Sequence, residues 1–149
     1  MPNGAGLLGN SSANQPAVTS SVPGQINKYY VITNSANFLT GGTITYSVVD
    51  MALFGNAVFP APALGNVEVL KKNIAIPGLS NRSEGMIVIP HANGKDSWLI
   101  THQNGSADYA ATLLNATSYT TGTFTTIVSP SIGNPSPIPV SITASAFVL

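Results

Sequence analysis

Short runs of β-branched and aromatic residues recur along this chain between clusters of Gly, Pro, Asn and Ser, which is the pattern of strands joined by turns. Such runs fall at residues 16–22, 28–35, 44–50 and 66–74, and again at 86–91, 97–103, 108–114 and 123–129. Gly and Pro punctuate residues 60–78 and 133–139 every few positions, so neither stretch holds a 3.6-residue apolar period and little helix is expected. The clearest turn is Asn93-Gly94, two residues that readily take positive φ, which predicts a tight hairpin between 86–91 and 97–103. Within the second arm Trp98, Ile100 and His102 alternate with Ser97, Leu99 and Thr101. Both faces carry apolar residues, so this strand is expected inside stacked sheets and not at a solvated surface.

The strand pattern occurs twice. Tyr29-Tyr-Val-Ile-Thr33 lines up with Ser97-Trp-Leu-Ile-Thr101, and in each copy a Gly- or Asn-containing loop leads to a third strand and then a fourth. The offset between copies falls from roughly 70 residues at the first strand to roughly 58 at the fourth, which differences in loop length accommodate. Repeated four-stranded meanders are how propeller blades are built. The expected fold is therefore all-β: a partial β-propeller of about two four-stranded antiparallel blades plus the first strand of a third. Its division is 1–14 as a connection from a preceding blade, 15–78 and 79–133 as blades, and 134–149 as a polyproline-like linker and the first strand, 141–148, of the next blade.

Four segments in fixed order carry a resemblance: Met1-Pro-Asn-Gly-Ala-Gly-Leu-Leu-Gly-Asn-Ser-Ser12, Lys28-Tyr-Tyr-Val-Ile-Thr33, Tyr46-Ser-Val-Val-Asp-Met51 and His91-Ala-Asn-Gly-Lys-Asp-Ser-Trp-Leu-Ile-Thr-His102. Over about residues 1–133 the chain resembles the N-terminal WD-repeat-like β-propeller of large secreted Bacteroidetes proteins associated with gliding motility or carrying a type IX secretion sorting domain. That resemblance implies a cell-surface or secreted module. In the family the Met1 motif lies inside the chain, so this sequence reads as a piece of a longer protein whose remaining blades are partners of the ones seen here.

Composition narrows the function. Only 7% of residues are charged and the formal net charge is zero, which leaves no basic patch for a phosphate backbone, so nucleic acid is not an expected partner. Hydrophobic residues make up 44% of the chain but occur in short runs, so no membrane-spanning helix is expected. The absence of Cys removes disulfides, zinc-thiolate sites and cysteine nucleophiles together. Residues 1–10 lack the basic and apolar regions of a signal peptide, so for an exported protein the signal is expected upstream of this segment or is missing.

Candidate chemistry is confined to a few positions. His91, Asp96 and His102 are expected near one another across the hairpin, a grouping that invites metal or acid-base chemistry. The preferred reading is a structural hydrogen-bond cluster of His91, Asp96, Trp98 and His102, without metal or cofactor, because buried polar groups on a packed sheet must be paired. Trp98 is expected in the core, and Phe38, Phe54, Phe59 and Tyr119 beside turns are the aromatic candidates for a binding surface. Catalysis finds no support in the sequence: there is no Gly-x-Ser-x-Gly elbow, and Asp50 and Glu68 are not expected to converge as a carboxylate pair. Asn-x-Ser/Thr sequons at Asn10, Asn81, Asn104 and Asn115 match the chance expectation for so much Asn, Ser and Thr. The leading function is a non-catalytic surface module that presents loops to protein or glycan, or acts as a spacer in an adhesin-like chain. The alternatives are a fragment of a propeller glycosidase and a phage or virion structural β-domain.

Overall fold

The computed structural model describes residues 1–37 and 39–129, and nearly all regular structure within them is strand, in two antiparallel sheets. The first sheet contains β1 (Ala17–Ser21), β2 (Lys28–Asn34), β3 (Ile44–Asp50) and two short pieces, β4 (Asn66–Val67) and β5 (Ile74–Ala75), that both pair with β3. The second contains β6 (Arg82–Pro90), β7 (Ser97–Gln103), β8 (Tyr109–Leu114) and β9 (Thr125–Val128). Each sheet follows chain order and neither lends a strand to the other. The expected connection at 134–139, the expected strand at 141–148 and Phe38 lie outside the described residues.

Local chemistry explains where the elements depart from the sequence pattern. The fourth strand of the first sheet, expected as one run over 66–74, is interrupted: Val49 faces Val67 and Tyr46 faces Ile74, so residues 68–73 stand opposite 47 and 48 alone. The excess chain bulges outward at Val69 and Leu70, while Val48 still donates to the Lys71 carbonyl at 2.8 Å and accepts from the Glu68 amide at 2.9 Å. The hairpin is also not the two-residue turn that Asn93-Gly94 predicts. Its loop spans 92–95, closed by the His91 amide donating to the Asp96 carbonyl at 2.9 Å, and only Gly94 has positive φ. Asn93 acts through its side chain, whose Oδ1 accepts from the amides of Lys95 and Asp96.

One short helix, α1 (Ala116–Thr121), connects β8 to β9. Asn115 and Ser118 form a reciprocal capping box at its start and Gly122, at φ 73°, ends it.

The two sheets share one apolar layer. Tyr30, Ile32, Tyr46 and Val48 from the first meet Met86, Leu99, Ala110 and Leu114 from the second. Tyr30 and Tyr46 pack edge to face at 5.6 Å, and Tyr46 meets Phe124 at 5.4 Å. Trp98 and Ile100, which line up with Tyr30 and Ile32 in the repeat, point away from this layer, because they alternate with Leu99 along β7. The first sheet thus lays its Tyr30 face on the opposite face of the second. At one end the sheets are joined through backbone: Gly42 and Arg82 exchange amide and carbonyl hydrogen bonds, both 2.8 Å. A Cβ at residue 42 would stand 1.9 Å from the Ala36 nitrogen, so the crossing admits only glycine.

The Tyr30 hydroxyl is buried without a hydrogen-bond partner among the described residues. Tyr30→Phe is therefore expected to leave stability unchanged or raise it by up to about 1 kcal/mol, whereas Tyr46→Ala should cost about 3–5 kcal/mol. Urea denaturation of both variants tests this; a clear loss in Tyr30→Phe would mean that the hydroxyl is satisfied.

Candidate functional site

The four residues expected as one cluster are split between the two ends of β7. At the hairpin end His91 stacks on Trp98, ring centroids 5.4 Å apart and planes at 30°. The His91 Nδ1 accepts the Asn93 amide at 3.0 Å, which leaves the proton of the neutral ring on Nε2. Asp96 is occupied within the loop, taking a hydrogen bond from the Asn93 side-chain amide at 2.7 Å. Trp98 is half-buried, not fully buried as expected. With Ile89, Pro90, His91, Ala92, Ile100 and Ala111 it lines a cleft of about 270 Å³.

His102 sits four positions further along the strand, roughly 13 Å from Trp98, and so joins neither His91 nor Asp96. Register places it opposite Tyr109, whose ring lies 4.9 Å away, and its Nδ1 meets the Ser83 hydroxyl at 3.0 Å. Burial lowers its pKa, and the nearby Arg82 guanidinium acts in the same direction. Among the described residues no group of three or more His, Asp or Glu is placed to hold a metal ion.

Charged side chains converge elsewhere, against the sequence expectation for two of them. Asp50 and Glu68, expected to stand apart, both reach the Lys28 ammonium, Asp50 at 2.9 Å and Glu68 closer still. Strand pairing is the cause: Lys28 opens β2 exactly opposite Asp50 at the close of β3, and the bulge after β4 turns Glu68 toward the same point. The Tyr119 hydroxyl from α1 donates to Glu68 at 3.1 Å, and the Lys71 ammonium lies 4.5 Å from the Tyr119 ring centroid while donating to its carbonyl. These contacts clamp the helix of the second sheet onto the edge of the first. Hydrogen bonding to Glu68 holds the Lys28 pKa above the ordinary lysine value, and hydrogen bonding to Lys28 holds Asp50 below the ordinary carboxylate value. Both groups stay ionised at neutral pH, so Asp50 has no proton to give as a general acid.

Of the aromatic candidates beside turns, Phe54 and Phe59 are exposed, while Tyr119 is packed against the core. Comparison with protein-family models, with curated proteins and with solved structures finds no match.

Lys28→Met should destabilise the chain by about 1–3 kcal/mol and raise the Asp50 pKa, because two carboxylates lose their shared cation; the three side chains keep 14–20% of their surface, which places the loss below that of a fully buried pair. Denaturation together with NMR titration of Asp50 measures both, and an unmoved Asp50 pKa would contradict the clamp. For His102 the unfolded ring takes up a proton near pH 6.5, whereas the folded ring does so only at lower pH. Stability is therefore lost as pH falls through about 6.5, ahead of the loss that Asp50 contributes further down. His102→Asn should flatten that step in melting temperatures taken between about pH 7.5 and 5.5, and a step that survives the substitution assigns it to another group.

Proposed function

We propose that the chain forms part of a non-catalytic β-propeller in a secreted or cell-surface protein, where it presents loops to protein or glycan or spaces the domains of a large adhesin-like chain. The observation that carries this reading is the direction of packing. Where two copies of one meander pack about a two-fold axis, equivalent faces of the two sheets meet. Here equivalent faces point the same way: Tyr30 and Ile32 press on the second sheet, and their counterparts Trp98 and Ile100 face onward. Blades around a ring stack in that manner, each on the back of the next.

The chemistry of the onward face agrees. Ile87, Ile89, Trp98, Ile100, Ala111 and Leu113 make it apolar, whereas an antiparallel sheet with one face in water alternates polar residues there. The resemblance to gliding-motility and type IX secretion proteins supports export. Among the described residues no helix is long and apolar enough to cross a membrane. A glycosidase reading needs two carboxylates free to exchange protons, and the pair that converges here, Asp50 and Glu68, is held by Lys28.

A structure of the whole gene product tests the architecture, with protease treatment of intact cells as the test of location. The expected result is a ring in which the Trp98 face packs on a further meander, in a protein cleaved from outside the cell. A Trp98 face covered by a helical layer, or a protein protected inside intact cells, would overturn the reading.

A further inference from the structure

Residues 51–65 join β3 to β4 with the sequence Met-Ala-Leu-Phe-Gly-Asn-Ala-Val-Phe-Pro-Ala-Pro-Ala-Leu-Gly, which has no charge and a single polar side chain. Connections of this length without strand or helix are uncommon in compact domains and usually serve a purpose. The loop is well tied. Its limbs are held by the Gly65 amide donating to Leu53 at 2.9 Å, and its tip by the Ala57 amide donating to Phe54 and the Ala61 amide to Val58, both 2.9 Å. A Cβ on Gly55 would stand 2.4 Å from the Gly65 carbonyl oxygen, so the limbs touch through backbone. At the base the Met51 amide donates to Asn27 at 2.8 Å, in the turn between β1 and β2.

This ordered loop turns its apolar side chains outward. Phe59 is 81% exposed and Val58 79%, with Met51, Leu53, Phe54 and Leu64 also exposed. Together the six residues, backbone included, offer on the order of 700 Å² to solvent, on the scale of the largest apolar patches of ordinary monomers, roughly 300–600 Å². That is close to one side of a standard protein interface, about 800 Å² per partner.

We propose that the 51–65 loop is a self-association surface that pairs with the same loop of a second copy of this chain. Across a two-fold axis residue i meets j and j meets i, and residues near the axis meet their own counterparts, so a charge there meets a like charge. The loop brings none, and Asp50, the residue before it, is paired with Lys28. Pro60 and Pro62 have no amide hydrogen, so burying the tip strands fewer backbone donors, and their fixed φ lowers the entropy cost of ordering. Two such loops could bury at most on the order of 1,400 Å², a ceiling within the range of stable complexes. An anionic lipid surface is the poorer occupant, since the loop has no Lys or Arg to meet headgroups. The inference rests on the loop and not on the propeller reading, because the loop projects from strand ends and not from the Trp98 face.

Sedimentation velocity of the whole 149-residue chain, over roughly 1–100 µM, tests it. A concentration-dependent dimer is expected, and Val58→Ser with Phe59→Ser should weaken it by roughly tenfold or more while leaving the melting temperature in place. Ile127→Asp, on the onward face of the second sheet, should leave the dimer intact. A chain that is monomeric throughout overturns the proposal. So does association that survives the loop substitutions and is lost in Ile127→Asp, which would move the contact to the sheet face and leave the blade reading standing. Sedimentation of a monomeric chain with phosphatidylcholine vesicles, abolished by the loop substitutions, would make lipid the occupant and overturn it as well.

Discussion

The apolar layer between the two sheets is the constraint on which the remaining structure depends. Each fully buried aliphatic or aromatic side chain in it is worth about 1.5–3 kcal/mol, and Tyr30, Ile32, Tyr46, Val48, Met86, Leu99 and Leu114 all lie there. Against that sum the Lys28 clamp is a small term. What the clamp and the Gly42–Arg82 bridge add is position: one fixes α1 to the edge of the first sheet, the other fixes the start of β6 to the loop after β2. With both in place, neither sheet can slide on the other without breaking hydrogen bonds at a strand end.

The strands were legible because alternation and turn residues coincide. β2 and β3 begin where the apolar runs begin, and Leu99 alternates with Trp98 and Ile100 as the two-sided pattern of β7 requires. What the sequence hid was mostly side chain acting on backbone. Asn93-Gly94 reads as a tight turn by residue type, yet the Asn93 carboxamide satisfies two amides and so supports a longer loop. The run 66–74 alternates like a strand over 66–69, but Lys71-Lys-Asn73 is poor in strand formers and Asn73 takes positive φ where the chain returns to β3. Helix α1 is too short for a period, although Asn115, Ser118 and Gly122 are its cap signals in the right places.

The split of the expected hairpin cluster and the convergence of Asp50 with Glu68 have one origin. Spacing along a strand is unforgiving: positions that look close in the sequence, such as Trp98 and His102, are carried apart by the extended backbone, while Lys28 and Asp50, distant in the sequence, are brought opposite by register. A chain with five Lys or Arg and five Asp or Glu has few charges to place, and three of them meet at Lys28. Its polar surface is left to Ser, Thr, Asn and backbone, which raises no long-range repulsion between copies and so permits apolar loops to meet.

The direction of stacking carries a further consequence. The two sheets meet through faces that are not equivalent in the repeat, so their outer faces are not equivalent either. On the first sheet the back is attended by residues 3–10: Asn3 bonds Asn66 and Val67, Asn73 bonds Gly6, and the Asn10 amide donates to Asn34 at 3.2 Å. Beneath them Thr33, Thr45 and Ser47 form a small-residue, hydroxyl-lined row, joined by the 2.8 Å contact between the Thr33 and Thr45 hydroxyls, that chain backbone can approach closely. Val31, Val49 and Val67 share that face, so it joins apolar side chains to hydroxyls, whereas the Trp98 face of the second sheet is built mainly from Ile87, Ile89, Ile100 and Leu113. The hydroxyl row suits a crossing segment that brings its own amides, and residues 3–10 are such a segment.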